Sequence, residues 1–204
     1  MHRTAATSER LRPMTLEEWA ALDDDIEGEL VDGVLEEEEK ATVLHEVVMI
    51  WLATVLRGWA QRRRGFTLGS EAKIAVGPRR GRKPDLSVFL PPLLPAPSDT
   101  LVRVPPHLAV EIASPRPRDV RRDRVEKLAD YARAGVRYYC IVDPQLRSLE
   151  VYELGSDRRY TVALTAAHGR VRVPGCVGLV LDLGALWNEV DAVERAHART
   201  TRRR

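Results

Sequence analysis

Lys83-Pro84-Asp85-Leu86-Ser87-Val88-Phe89-Leu90, read together with Val110-Glu111-Ile112-Ala113-Ser114-Pro115, decides how this chain folds. In the first stretch Leu86, Val88 and Leu90 alternate with Asp85, Ser87 and Phe89; around the second, Leu108, Val110 and Ile112 alternate with Ala109, Glu111 and Ala113. A period of two predicts two short strands. Each carries one acid among apolar or small residues, where an unpaired carboxylate is costly to bury. If the strands are neighbours, Asp85 and Glu111 project from one face into one site. Two carboxylates with room for water are the least a protein must supply to hold Mg²⁺, which keeps much of its octahedral shell as water or phosphate.

The 204 residues are long enough for one well-buried core, and no low-complexity linker divides them. The expected organisation is a disordered leader over 1–13, one domain over 14–188 and a helical, basic tail over 189–204. A hydrophobic share of 44% with 30% charged residues fits a soluble globular protein. The net charge is only +2, with acidic runs early (Asp23 to Asp25, Glu36 to Glu39) and basic runs later. There is no run of eighteen apolar residues and no signal-peptide pattern at the start, so no membrane association and a cytoplasmic location are expected. Cys140 and Cys176 have neither CxxC spacing nor a nearby histidine and read as buried, inert thiols.

Along the chain, Thr15 with Glu18 three residues on forms a capping box for a helix ending near Asp23 to Asp25. Asp32-Gly33, between Glu29-Leu30-Val31 and Val34-Leu35-Glu36, predicts a hairpin. Apolar residues from Val43 to Trp59 recur at helical spacing, giving a long helix over about 41–64 that closes on Arg62-Arg63-Arg64-Gly65. Strands at Phe66–Leu68 and Ala72–Val76 are expected in one sheet, followed by a basic turn over Gly77–Arg82. Pro91–Pro106 reads as a surface connection. A helix from about Asp119 to Ala134, stopped by Gly135, joins the Glu111 strand to one at Val136–Val142 in a βαβ crossover. Antiparallel strands at Leu149–Leu154 and Arg159–Leu164 and a helix from Leu183 to about Ala198 complete the reading. The fold class is α/β or α+β: a mixed sheet with helices on its faces.

Two accounts of the acids stand side by side. In one, Asp85 and Glu111 hold a divalent metal for phosphodiester hydrolysis. In the other, Asp85 ends a turn after Pro84 and Glu111 meets a nearby arginine. Arg79, Arg80, Arg82 and Lys83 before Asp85, and Arg116, Arg118, Arg121, Arg122 and Arg124 after Glu111, suit a polyanion held by its phosphates. They equally suit a salt-bridged surface interleaved with Asp119, Asp123 and Glu126. His45, on the apolar helix beside Glu46, reads as a hydrogen-bonded groove residue or a ligand. On a regular helix Val125, Leu128, Ala129 and Ala132 form the apolar stripe and Lys127 points away from it.

Taken in order, Glu29-Leu30-Val31-Asp32-Gly33, His45, Lys83-Pro84-Asp85, Val110-Glu111-Ile112-Ala113-Ser114-Pro115, Asp123 to Lys127 with Tyr131-Ala132-Arg133-Ala134-Gly135-Val136, Tyr139-Cys140-Ile141-Val142-Asp143-Pro144 and Val151-Tyr152 resemble the Uma-type family of putative restriction endonucleases, within the PD-(D/E)XK nuclease superfamily. The resemblance covers roughly residues 13–188. It implies a restriction-endonuclease-like fold and DNA cleavage that depends on Mg²⁺ or Mn²⁺. It makes Asp85 and Glu111 the metal-binding catalytic carboxylates, with Glu29 and His45 as auxiliary site residues. The lysine of an E-x-K motif would fall at position 113, which is Ala113; the family instead carries a lysine on the next helix, corresponding to Lys127. Arg82, Lys83, Arg116, Arg118 and Arg121 are the expected DNA contacts. A homodimer is expected by analogy with nucleases of this fold. A DNA-binding module without catalysis, or a protein-interaction module on the same fold, is the alternative.

Overall fold

The structure, a computed structural model, describes residues 12–23, 26–37, 41–114, 116 and 121–201. Its centre is a six-stranded sheet in the order β10-β9-β8-β7-β6-β3. These are β3 (Phe66–Leu68), β6 (Leu86–Phe89), β7 (Leu108–Ile112), β8 (Tyr138–Asp143), β9 (Ser148–Leu154) and β10 (Tyr160–Ala166). Only β7 and β8 run parallel, joined by the expected crossover; the other pairs are antiparallel.

The alternation noted in the sequence sorts the two faces of this sheet. Leu86, Val88, Leu108, Val110, Ile112, Cys140 and Val142 face a core closed by Val48, Leu52, Leu56 and Trp59 of α2 (Val43–Gln61). Leu183, Leu186, Trp187 and Val190 of α4 (Leu183–Thr201) close the same core. The complementary set, Phe89, Ala109, Ala113, Tyr139 and Ile141, faces Tyr131 of α3 and Ile74 and Val76 of β4 (Ile74–Gly77). Here α3 is the crossover helix, π-helical over Arg122–Lys127 and α-helical over Leu128–Ala134, and it stops at Gly135 in the left-handed conformation. The 19 residues of α2 are long and apolar enough to cross a membrane. Its apolar stripe nevertheless packs on the sheet, and each fully buried large side chain there contributes roughly 1.5–3 kcal/mol.

A second sheet, in the order β2-β1-β5-β4, carries the N-terminal part. It comprises β1 (Glu29–Val31), β2 (Val34–Glu36), β4 and β5 (Arg80–Arg82). The β1–β2 turn has positive φ at Asp32 (52°) and Gly33 (83°), as the Asp-Gly pair requires. The capping box of α1 (Leu16–Ala20) forms as expected. Trp19 of α1 is fully buried and donates to the Gly28 carbonyl at 2.9 Å. Its ring lies over Gly81 so closely that a Cβ there would come within 2.1 Å. That contact seats α1 on β5 and fixes the strand that carries Glu29.

Several expectations are corrected. Phe66–Leu68 and Ile74–Gly77 belong to different sheets, because alternation marks a strand without naming its partner. The expected basic turn at Gly77–Arg82 contains β5; Arg80 and Arg82 fit a strand because buried acids neutralise them. The first helix ends at Ala20, before Asp23. The short pair β11 (Arg170–Arg172) and β12 (Val180–Asp182) has no counterpart in the sequence reading, each strand being too short for a periodic signal. Most of the expected leader, together with Arg118 and Arg202–Arg204, lies outside the described residues.

Candidate active site

Strand register brings the two acids together. Leu86 pairs with Val110, so continuing by one residue sets Asp85 beside Glu111, both on the face that α3 covers. The Asp85 carboxylate accepts the Ile112 backbone N–H through Oδ2 at 2.6 Å and turns Oδ1 toward His45 Nε2 at 3.1 Å. His45 reaches it from the first turn of α2, where Thr42 caps the helix. Glu111 is buried; its Oε1 accepts the Tyr131 hydroxyl at 2.6 Å and its Oε2 accepts Lys127 Nζ at 2.8 Å.

Lys127 stands at the centre. Besides Glu111, its ammonium lies 3.6 Å from Asp123 and 3.7 Å from Glu29. Burial alone would lower its pKa, but the charges of Glu111, Glu29, Asp123 and Asp85 outweigh that and hold the ammonium well above the ordinary lysine value. Burial and the neighbouring Asp85, Asp123 and Glu29 push Glu111 well above the usual carboxylate range despite Lys127. Burial, with Asp85 and Glu29, likewise raises Asp123 to about 6. Glu29 behaves oppositely: burial raises it, yet Lys127, Arg82 and the Lys83 backbone N–H bring it below the ordinary value.

These groups open into a cleft of about 540 Å³ lined by seven carboxylates and three cationic side chains. A cleft with that excess of negative charge repels phosphate until a cation enters it. Among the described residues no group of three or more His, Cys, Asp or Glu is arranged to hold a metal. The donors that face the cleft from adjacent strands are the hard carboxylate oxygens of Asp85 and Glu111. Crowding by Asp85, Asp123 and Glu29 contributes to the rise at Glu111, a repulsion that a divalent cation would relieve. Such a pair suits an ion that takes one or two carboxylates and keeps several waters.

The structure places the expected residues as follows. Asp85, Glu111, Lys127, Glu29 and His45 converge on this cleft. Lys83 also lines it, with Nζ 3.1 Å from Glu71. Arg82 is corrected: expected at a DNA contact, it is wholly buried between Glu29 and Asp130 and no phosphate can reach it. Arg116 is exposed, and Arg121 is exposed and paired with Glu126 at 3.0 Å. The expected apolar stripe of α3 is buried only in part: Ala132 is buried and Leu128 packs on the second core, while Ala129 is exposed. Val125 is 55% exposed, whereas Asp123, Lys127, Asp130 and Tyr131 are buried. Buried polar groups that pair with one another replace apolar packing here, and a π-helical segment at such a site is a recurrent functional device. Asp123 and Tyr131 were not singled out as site residues, yet their spacing of four on either side of Lys127 puts them on its helix face.

The chain can now be set beside known proteins. The model of the family Uma2, described as putative restriction endonuclease, matches residues 14–184. A crystal structure of a putative nuclease belonging to DUF820 from Anabaena variabilis superposes with a TM-score of 0.70 at 19% sequence identity. The match covers 87% of this chain and 99% of that one, and at this identity it establishes the shared fold. No curated protein matches the sequence. Because the family match spans most of its length and the nuclease-like fold agrees with it, the chain belongs to the Uma2 family of putative restriction endonucleases.

Proposed function

We propose that the protein is a divalent-metal-dependent endonuclease that hydrolyses DNA phosphodiester bonds, with Asp85 and Glu111 holding Mg²⁺ or Mn²⁺ and Lys127 assisting. The observation that carries this reading is the meeting of Asp85, Glu111 and the Lys127 ammonium at the floor of one acidic cleft. Bound by the two carboxylates, the metal would polarise the phosphate and offset charge on the leaving oxygen.

The remaining work falls to this chain's own groups. Lys127, kept protonated by three carboxylates, serves as a fixed cation and hydrogen-bond donor toward developing negative charge; it does not serve as a base. Tyr131 holds one oxygen of Glu111, and the Ile112 N–H holds one of Asp85, so both carboxylates are oriented before any ligand arrives. His45 keeps the second Asp85 oxygen turned into the cleft. Glu29, 3.7 Å from the ammonium, helps to orient Lys127. Lys83 at the cleft, paired with Glu71, and Arg116 and Arg121 on the surface, the latter paired with Glu126, are the cations that flanking phosphates would meet in this reading.

The same reading assigns the protein to the cytoplasm, where DNA is present and both buried cysteines stay reduced. It extends to a homodimer, because one such site cuts one strand and a duplex break needs two. The test is conversion of supercoiled plasmid to nicked and linear forms, and degradation of single-stranded DNA, in Mg²⁺ or Mn²⁺. Cleavage that stops on chelation is expected; wild-type protein that leaves both substrates intact in both metals contradicts the reading.

A further inference from the structure

The cation at the centre of the site is held in an unusual way. Packing anchors the backbone of the π-helical turn that carries Lys127, with Leu128 on the second core and the Tyr139 hydroxyl donating to the Asp123 carbonyl at 3.1 Å, but packing does not fix where the ammonium at the end of the side chain lies. Ion pairs do. The deepest of these centres on Arg82, which is 0% exposed. Its Nη1 donates to Glu29 Oε2 at 2.7 Å, and its Nε donates to Asp130 Oδ2 at 2.8 Å. The other oxygen of Glu29 takes the Lys83 backbone N–H at 2.9 Å and faces Lys127 Nζ. Asp130 lies one helical turn beyond Lys127 on α3. Arg80, donating to Asp130 at 3.1 Å and to Asp32 at 2.7 Å, and Arg133, donating to Asp130 at 2.9 Å, complete the neutralisation of that carboxylate.

We propose that Arg82 is a positioning residue for Lys127: its buried guanidinium ties Glu29 on β1 to Asp130 on α3 and so fixes the ammonium against Glu111 from both sides. The geometry suits arginine. A planar fork holds two carboxylates at once in fixed directions, whereas a lysine's flexible ammonium is a point charge that imposes no such directions. The inference deepens the nuclease reading, since it takes Lys127 as the cation of that site, but the geometry it claims can be read without any cleavage.

The chain has four lysines, Lys40, Lys73, Lys83 and Lys127, so lysine-selective labelling gives few and assignable NMR signals. Lys73 is an internal control: its ammonium donates to the Trp19 carbonyl at 2.9 Å and so reports on the packing of α1 against the small sheet. In Arg82→Gln and in Asp130→Asn, the Lys127 ammonium is expected to exchange its hydrogens about tenfold faster than in wild type, while Lys73 stays unchanged. If Arg82→Gln does not fold, Asp130→Asn, a neutral isostere at the far end of the fork, decides. Lys127 exchange that is unaltered in a folded variant overturns the proposal, and so does equal acceleration of both lysines, which would mark general loosening. Where wild type cuts DNA, the loss of kcat in Asp130→Asn should vanish in a Lys127→Met background, and a loss of equal size in both backgrounds also overturns it. If wild type does not cut, the nuclease reading fails and the exchange result still judges this one.

Discussion

Lys127→Met should lose about 3–5 kcal/mol of folding stability at pH 8 and distinctly less at pH 5, in metal-free buffer. Methionine keeps most of the stem's apolar volume but leaves Glu111 and Asp123 without their cation and Glu29 with Arg82 and the Lys83 backbone N–H. With Lys127 present, Glu111 and Asp123 already titrate above the ordinary range, Asp123 at about 6. Removing the ammonium raises both further. A carboxyl whose folded pKa is raised binds more protons folded than unfolded; its contribution is complete below the unfolded pKa and is lost as pH rises through the folded value. Below those wild-type values the folded variant and folded wild type bind the same protons, so the cost of the substitution grows from about pH 6 upward, as each carboxyl ionises in wild type but not yet in the variant. Denaturant unfolding at the two pH values measures it, and an equal cost at both would mean that the carboxylates do not share Lys127 as described.

Asp85→Asn and Glu111→Gln should each slow metal-dependent plasmid cleavage by roughly a thousandfold, equivalent to about 4 kcal/mol of transition-state stabilisation. Both replacements preserve shape and remove a hard, charged oxygen donor, so cooperative folding is expected to persist. Asp85→Asn should leave the metal-free protein at least as stable as wild type. Asp85 is one of the charges that push Glu111 and Asp123 upward, and its amide oxygen can still accept the Ile112 N–H. A gain in stability with a loss of activity is the usual signature of a group kept for chemistry. Cleavage at near wild-type rate in either variant would show that the metal, if required, is held elsewhere.

Period-two alternation in two short stretches would put Asp85 and Glu111 on one sheet face if the strands were neighbours, and β6 and β7 are neighbours. The capping box at Thr15, the Asp32-Gly33 turn and the Gly135 stop were legible because each rests on local backbone chemistry. What sequence could not carry was partnership. Nothing in Ile74–Gly77 or Arg80–Arg82 announces a separate sheet, and the arginine run there resembles a solvated turn until Glu29 and Asp130 are seen to enclose Arg82. The apolar stripe of α3 misled for a related reason. A helix whose buried side is a charged site inverts the rule that apolar residues mark the core, and the π-helical turn alters the spacing on which that rule depends. The family resemblance supplied Lys127 where periodicity pointed away from it; its Nζ lies 2.8 Å from Glu111, and the strand position of an E-x-K lysine is Ala113.

The most direct test is a calorimetric titration of Mn²⁺ into metal-free wild type, Asp85→Asn and Glu111→Gln, each checked for folding. Binding at the acidic cleft in wild type, weakened at least tenfold in both variants, is the predicted result. No binding to wild type, or binding that survives both substitutions, would contradict the assignment of these two carboxylates to the metal.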